Sequence, residues 1–325
     1  MPDRLARAFW SLGDGRGELR PEQLTEPNSS QVLVRALASG ISRGTESLVF
    51  QGRVPPSQHE VMRCPHQIGN FPGPVKYGYS SVGLVEAGDP SWVGKRVFCL
   101  HPHQDRYVVA STAVNAIPDS VPAERAVLAA NLETAVNALW DATPRLGDHV
   151  AVVGAGVVGC LVATLLARIP GVKVELIDLD PRRQALAEEL GCRGSTPEAA
   201  SRDADLVIHT SASSAGLATS LSLAGFEATV LELSWYGDRP VSVPLGEGFH
   251  SRRLNLRSSQ VGTIATTQRA RWNYRRRLEL VMTLLQEPVF DHLLSRRSRF
   301  HDLPQTMVRL STAPDGTLCE VVSYD

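Results

Sequence analysis

Val150-Ala-Val-Val-Gly154-Ala-Gly156-Val-Val-Gly159 is an apolar run that passes through a G-x-G-x-x-G string into a second apolar stretch. The first half predicts a buried strand, His149 to Val153, and the second a helix, Val157 to Arg168. Each glycine then has a steric task. Gly154 permits the tight turn, Gly156 lets backbone approach a pyrophosphate, and Gly159 allows close packing of helix on strand. The helix N-terminus at Val157 and Val158 offers N–H groups and a positive dipole end to an anion. The next apolar strand, Lys173 to Ile177, leads into Asp178, 24 positions beyond Gly154. That offset is close to the ~20 residues expected for an acid that hydrogen-bonds adenosine ribose hydroxyls. A carboxylate there repels a 2′-phosphate, which favours NAD over NADP, and Arg182 and Arg183 partly offset the repulsion. The blander reading, in which the glycines only make a turn and Asp178 only caps the next helix, does not explain why strand, loop, helix, strand and acid occur together.

Working outward, strands are predicted at Leu206 to Thr210 and Ala228 to Leu233, with a helix at Arg182 to Leu190. Alternating strands and helices are the pattern of a doubly wound, parallel-sheet α/β domain of the Rossmann kind. Upstream, from Gln31 to Ile117, the pattern is short β-rich runs broken by turns: Gln31 to Leu37, Ser81 to Ala87, Arg96 to Leu100 and Tyr107 to Ala110. These predict an antiparallel, barrel-like domain. A helix is predicted from Ala123 to Ala142. Beyond Gly262, helices at Arg269 to Leu285 and Leu303 to Leu310 and a last strand, Leu318 to Ser323, are expected to return to the first domain. No internal repeat or low-complexity segment is present.

The 325 residues, 43% hydrophobic and 21% charged, suffice for two globular domains with their own cores. A formal net charge of -1 gives no bias toward nucleic acid or anionic membrane. The start of the chain lacks the apolar core of a secretory signal and no run approaches the ~18 apolar residues of a spanning helix, so a cytoplasmic protein is expected. Cys64, Cys99, Cys160, Cys192 and Cys319 form no C-x-x-C pair and are read as reduced thiols.

Nearly the whole chain resembles the zinc-type alcohol dehydrogenases of the medium-chain dehydrogenase/reductase superfamily. The resemblance is carried by Val32 to Glu46, including Ser42-Arg43-Gly44-Thr45-Glu46, and by Gly78-Tyr79-Ser80-Ser81-Val82-Gly83. It continues through Gly94-Lys-Arg-Val97, Asn131-Leu-Glu-Thr134, the glycine string, and Leu303-Pro304 to Gly316-Thr-Leu-Cys319. The I-S-x-G-T-E and G-Y-x-S-V-G strings look most like the bacteriochlorophyllide hydroxyethyl dehydrogenase branch. The resemblance implies a Rossmann domain, 138–267, inserted in a β-rich GroES-like barrel domain, 1–137 and 268–325. It also implies a homodimer and a small-molecule substrate, with no nucleic-acid or membrane partner.

Catalytic zinc takes three thiolate, imidazole or carboxylate ligands and one open position. Where the family has its first cysteine ligand this chain has Ser42, and where it has a histidine and an acid it has Tyr79 and Ser80. The third ligand region, Ala130-Asn131, supplies no good ligand. The lobe for a structural zinc is replaced by the short connection His101 to Tyr107. A zinc-free site is therefore expected. The competing reading is Cys99-Leu-His101-Pro-His103, whose period-2 spacing would align three ligands along an extended segment. Pro102 makes regular projection doubtful.

Without zinc, a hydroxyl or ammonium donor must serve the substrate oxygen. Tyr79 is the first candidate, with Lys76 as the positive charge that would lower its pKa, and Ser42, Thr45 and Glu46 beside it. Arg43 occupies a family position that faces the cofactor pyrophosphate. Arg183 and Thr134 are further cofactor candidates, with Thr210, Ser211 and Ser234 in loops at the carboxyl edge of the sheet. Trp235 and Tyr236 read equally as packing residues. The basic run Arg269 to Arg277 reads as the solvated start of an amphipathic helix rather than a nucleic-acid site, and Arg252 or Arg253 is a lesser candidate for a substrate anion. The reaction expected is NAD-dependent interconversion of an alcohol and a ketone or aldehyde. Alternatives are a zinc-free quinone or enone C=C reductase, or a catalytically silent NAD-binding protein.

Overall fold

The computed structural model describes residues 5–324. The chain divides into two compact units, one formed by the residues up to Ala130 together with those from Leu278, the other by Asn131–Arg277.

The first unit begins with a hairpin, β1 (Leu5–Ser11) and β2 (Gly17–Gln23), in register from Leu5 with Gln23 to Ser11 with Gly17. Strands were expected only from Gln31. β2 hides from pattern reading because Glu18, Arg20, Pro21 and Glu22 give it no buried position, and it lies at the edge of its four-stranded sheet, where proline is tolerated. β3 (Gln31–Ile41) leads into α1 (Arg43–Phe50). There follow β4 (Ile68–Gly69), β5 (Val75–Lys76), β6 (Ser81–Gly88), β7 (Arg96–Cys99), β8 (Arg106–Ala110) and β9 (Val114–Ala116). β3 pairs antiparallel with both β6 and β8, and the apolar faces enclose Val32, Val34, Val85, Val97, Cys99, Tyr107, Val109 and Val114.

The helix expected over Ala123 to Ala142 is two, α2 (Ala123–Ala126) and α3 (Ala129–Ala142). The break falls at Val127 and Leu128, and the Val127 carbonyl accepts the Ser80 hydroxyl.

The second unit holds β10 (His149–Val153), α4 (Val157–Leu166), β11 (Lys173–Ile177), α5 (Pro181–Glu189), β12 (Arg193–Ser195), β13 (Ala204–His209), α6 (Ser214–Leu223), β14 (Ala224–Glu232) and β15 (Asn255–Ser258). All pairs are parallel, in the order β12-β11-β10-β13-β14-β15. Ala151, Val153, Ile177, Val207, Leu217, Leu221 and Val230 pack between sheet and helices. The boundary at Arg277 has a physical cause. The guanidinium is buried and bonds Glu133 at 3.0 Å, Asn137 at 2.9 Å and the Val261 carbonyl at 2.9 Å, which ties the start of α7 (Tyr274–Leu284) to the second unit. The helix expected from Arg269 starts later; Arg276 stacks over the Trp272 ring at 4.0 Å, and Trp272 lies 4.8 Å from Trp140.

The return segment supplies β16 (Leu294–Arg299), α8 (Leu303–Thr312) and β17 (Cys319–Ser323) to the first unit. β17 runs antiparallel to β3, but β16 runs parallel to β17, so that sheet is mixed rather than wholly antiparallel. Among the described residues, no helix is long and apolar enough to cross a membrane.

Candidate active-site residues

In the second unit, β10 enters the glycine loop at Gly154, whose φ of +105° suits a residue without a side chain. A Cβ there would press on the Ser211 backbone, and one on Gly159 would overlap the Gly154 carbonyl oxygen. Gly156 faces open space and caps α4, with Val157 and Val158 half-buried behind it. The Asp178 carboxylate accepts the Ala155 amide at 2.7 Å and the Asp180 amide at 3.0 Å. The cap of α5 is Asp180, which accepts the Arg182 amide, so Asp178 is free of that duty and stands against the glycine loop. Arg183 is half-buried on the first turn of the same helix.

At the ends of β13 and β14, the Thr210 hydroxyl donates to the Gly154 carbonyl at 2.6 Å, and the Ala212 amide donates to Ser234 Oγ at 3.0 Å. His209, a residue the sequence did not single out, bonds both Ser211 and Glu232 at 2.7 Å. Thr134 lies on α3. Arg252 is held by the Ala224 carbonyl at 2.8 Å and Arg253 by Glu227 at 3.0 Å, within the same unit.

In the first unit, α1 brings Ser42, Arg43, Thr45 and Glu46 together at its N-terminus. The Ser42 and Thr45 side chains hydrogen-bond the Tyr79 hydroxyl. Burial pushes that hydroxyl well above the ordinary tyrosine range, and the Glu46 charge adds to the rise. Lys76 is not part of this cluster: its buried ammonium donates to Glu22 and Gln104, each at 2.8 Å. Glu46 accepts the Ser42 amide at 2.7 Å and meets His103 Nε2 at 2.8 Å. His103 Nδ1 continues to Ser39 Oγ at 2.7 Å, and Ser39 to the Tyr324 hydroxyl at 2.8 Å. His103 stands out in sequence only through its spacing from Cys99 and His101, as a possible metal ligand, and Tyr324 carries no signal beyond residue type.

No protein-family model matches the chain. A search of curated proteins finds (R,R)-butanediol dehydrogenase of Bacillus subtilis, 28% identical over 158 residues, covering 39% of this chain and 46% of that protein. The chain spans about half the length of the curated relatives it matches, 46% and 59%. Among solved structures, 2R,3R-butanediol dehydrogenase from Bacillus subtilis superposes with a TM-score of 0.76 at 18% identity, over 98% of this chain and 100% of that one. A short chain alcohol dehydrogenase from Escherichia coli, complexed with NADH, gives a TM-score of 0.76 at 16% identity, over 99% and 100%. The chain has the fold of the medium-chain dehydrogenase/reductase superfamily.

A catalytic zinc of this dehydrogenase fold does not fit the residues present. Ser42 and Tyr79 offer hydroxyls bonded to each other, not thiolate and imidazole. Cys99 is fully buried in the strand core, with its thiol pushed up to about 12 by burial. His101 stacks on Tyr107 with ring centroids 3.7 Å apart, and burial holds its pKa well below the usual histidine range. His103 is engaged by Ser39 and Glu46. Among the described residues, no three histidine, cysteine or acidic side chains are grouped to hold a metal.

Proposed function

We propose that this chain is an NAD-dependent dehydrogenase that interconverts a small alcohol and its ketone or aldehyde without a catalytic zinc, its Rossmann domain inserted in a GroES-like domain. The observation that carries the reading is the Gly154 to Gly159 loop with the Asp178 carboxylate drawn against it by the Ala155 amide. An acid so placed suits the adenosine ribose hydroxyls and opposes a 2′-phosphate. A bound nicotinamide supplies hydride transfer.

The protein's task is then to orient the substrate and handle one proton. Tyr79 is assigned as the donor to the substrate oxygen. Its raised pKa keeps the proton on the hydroxyl through the neutral range, which suits an acid and not a base. Ser42 and Thr45, bonded to the same hydroxyl, hold it in place and compensate its hydrogen bonding as the proton moves. The Glu46 charge disfavours the tyrosinate and so keeps the hydroxyl protonated until the substrate oxygen takes the proton.

The test pairs an NADH and NADPH titration with alcohol-dependent reduction of NAD, before and after treatment with a zinc chelator. Tighter NADH binding and a rate untouched by chelation are expected. Failure to bind either nucleotide overturns the cofactor reading, and abolition of the rate by chelation overturns the metal-free site.

A further inference from the structure

β13 and β14 end in a closed hydrogen-bonded lattice that no step above uses. His209 is fully buried, with Nδ1 2.7 Å from Glu232 Oε2 and Nε2 2.7 Å from Ser211 Oγ. Glu232 also accepts the Tyr236 hydroxyl at 2.9 Å and the Ser234 amide at 2.7 Å. Burial by itself raises the pKa of this carboxyl, but the hydrogen bonds it receives from His209 and Ser234 outweigh it, so the group stays below the usual glutamate range.

For a neutral imidazole, donor accounting gives the rest. An ionised Glu232 only accepts, so Nδ1 of His209 carries the hydrogen that faces it. In the neutral ring Nε2 is then an acceptor, and the Ser211 hydroxyl donates into it. Ser211 Oγ lies 3.0 Å from Ser213 Oγ, which itself accepts the Gly216 amide at 3.0 Å. Ser213 therefore donates to Ser211. One lone pair of the half-buried Ser211 oxygen is left for a ligand hydrogen.

The sheet order says which ligand group that is. Asp178 follows β11 on one side of β10, and Ser211 follows β13 on the other, with the Gly154 turn between them. A dinucleotide whose adenosine ribose meets Asp178 and whose pyrophosphate crosses the glycine loop brings its second ribose to the β13 side.

We infer that the His209–Glu232 pair is a positioning device for the nicotinamide half of the cofactor, fixing Ser211 as the acceptor of a ribose hydroxyl. It rests on the cofactor reading above. Glu232 and His209 act through Ser211 and are positioning residues.

The test titrates the full-length protein with NADH, ADP-ribose and AMP. His209→Asn keeps an amide donor toward Glu232 and removes only the reach to Ser211, so it spares the buried carboxylate. His209→Asn and Ser211→Ala should each weaken NADH and ADP-ribose about 3- to 10-fold, the range of one hydrogen bond. AMP, which lacks the second ribose, should bind each variant as it binds the wild type. The double variant should be no weaker than either single, because both remove one contact. Unchanged NADH binding in both variants, equal loss for AMP, or losses that multiply in the double variant would each overturn the inference. Should His209→Asn not fold, the NADH and AMP comparison in Ser211→Ala decides alone. A wild type that binds none of the three nucleotides sinks the cofactor reading and this inference with it, whereas tight wild-type binding with unaffected variants sinks only this one.

Discussion

His103 Nε2 and Glu46 Oε2 stand 2.8 Å apart, both side chains buried, although 57 positions separate them in the chain. The second Glu46 oxygen holds the Ser42 amide, so one carboxylate ties the start of α1 to the segment after β7. Through His103 the same network reaches Ser39 and Tyr324, near the end of the chain.

Removing Glu46 leaves the buried His103 Nε2 without its carboxylate and the Ser42 amide without its acceptor. Glu46→Ala is expected to destabilise the protein by about 3–5 kcal/mol, the range for breaking a buried pair from one side. Glu46→Gln, which keeps an acceptor for the Ser42 amide, should lose less. Denaturant unfolding of the three proteins measures this. A loss under about 1 kcal/mol for Glu46→Ala would mean that water relieves the pair and that it does not organise α1.

Tyr79 gives a pH prediction. Burial, then the Glu46 charge, place its hydroxyl above the ordinary value of 10.0, against bonds from Ser42 and Thr45 that lower it. An acid with a raised pKa keeps its proton to higher pH. The rate of carbonyl reduction should therefore show no descending limb from Tyr79 below the ordinary tyrosine value, and Tyr79→Phe should lower kcat by about 10²–10⁴ across the whole range. A descending limb near neutral pH that vanishes in Tyr79→Phe would show the opposite shift.

What was legible in the chain was what is local. The glycine string, its two apolar strands and Asp178 lie within about thirty consecutive residues of one βαβ unit, where turn sterics and periodicity suffice. The long-range pairings were not. Lys76 looked suited to lower the Tyr79 pKa by residue type, yet its ammonium is taken by Glu22, from a strand that carries no apolar alternation. The even spacing of Cys99, His101 and His103 has no structural counterpart because β7 ends at Cys99, and beyond it alternation no longer governs where side chains project. His209 reads in sequence as one polar residue closing an apolar strand; only its register with Glu232 in the neighbouring strand gives it partners.

Asp178 should set the choice of nucleotide. Asp178→Ser removes the charge that opposes a 2′-phosphate and weakens the acceptor for the Ala155 amide. The ratio of NADPH to NADH dissociation constants is expected to fall about 10-fold or more, the equivalent of one close charge interaction near a protein surface. Fluorescence titrations with both nucleotides measure it. An unchanged ratio would assign discrimination to another residue and leave Asp178 a role in shaping the loop.

Gly156 and Gly159 separate binding from folding. A Cβ on Gly159 meets the Gly154 carbonyl oxygen and the Thr210 hydroxyl, both fixed by the strands beneath them. Gly159→Ala should therefore cost about 1–3 kcal/mol of stability as α4 is forced off the sheet, and lose cofactor affinity as a consequence. A Cβ on Gly156 meets nothing. Gly156→Ala is expected to change stability by less than about 1 kcal/mol, as for an unstrained helix cap, while weakening NADH because the new methyl occupies the approach to the pyrophosphate. Thermal unfolding and NADH titration of the two variants give four numbers. If Gly156→Ala binds NADH as the wild type does, the pyrophosphate does not lie over the start of α4, and the cofactor would have to be placed elsewhere on the sheet edge.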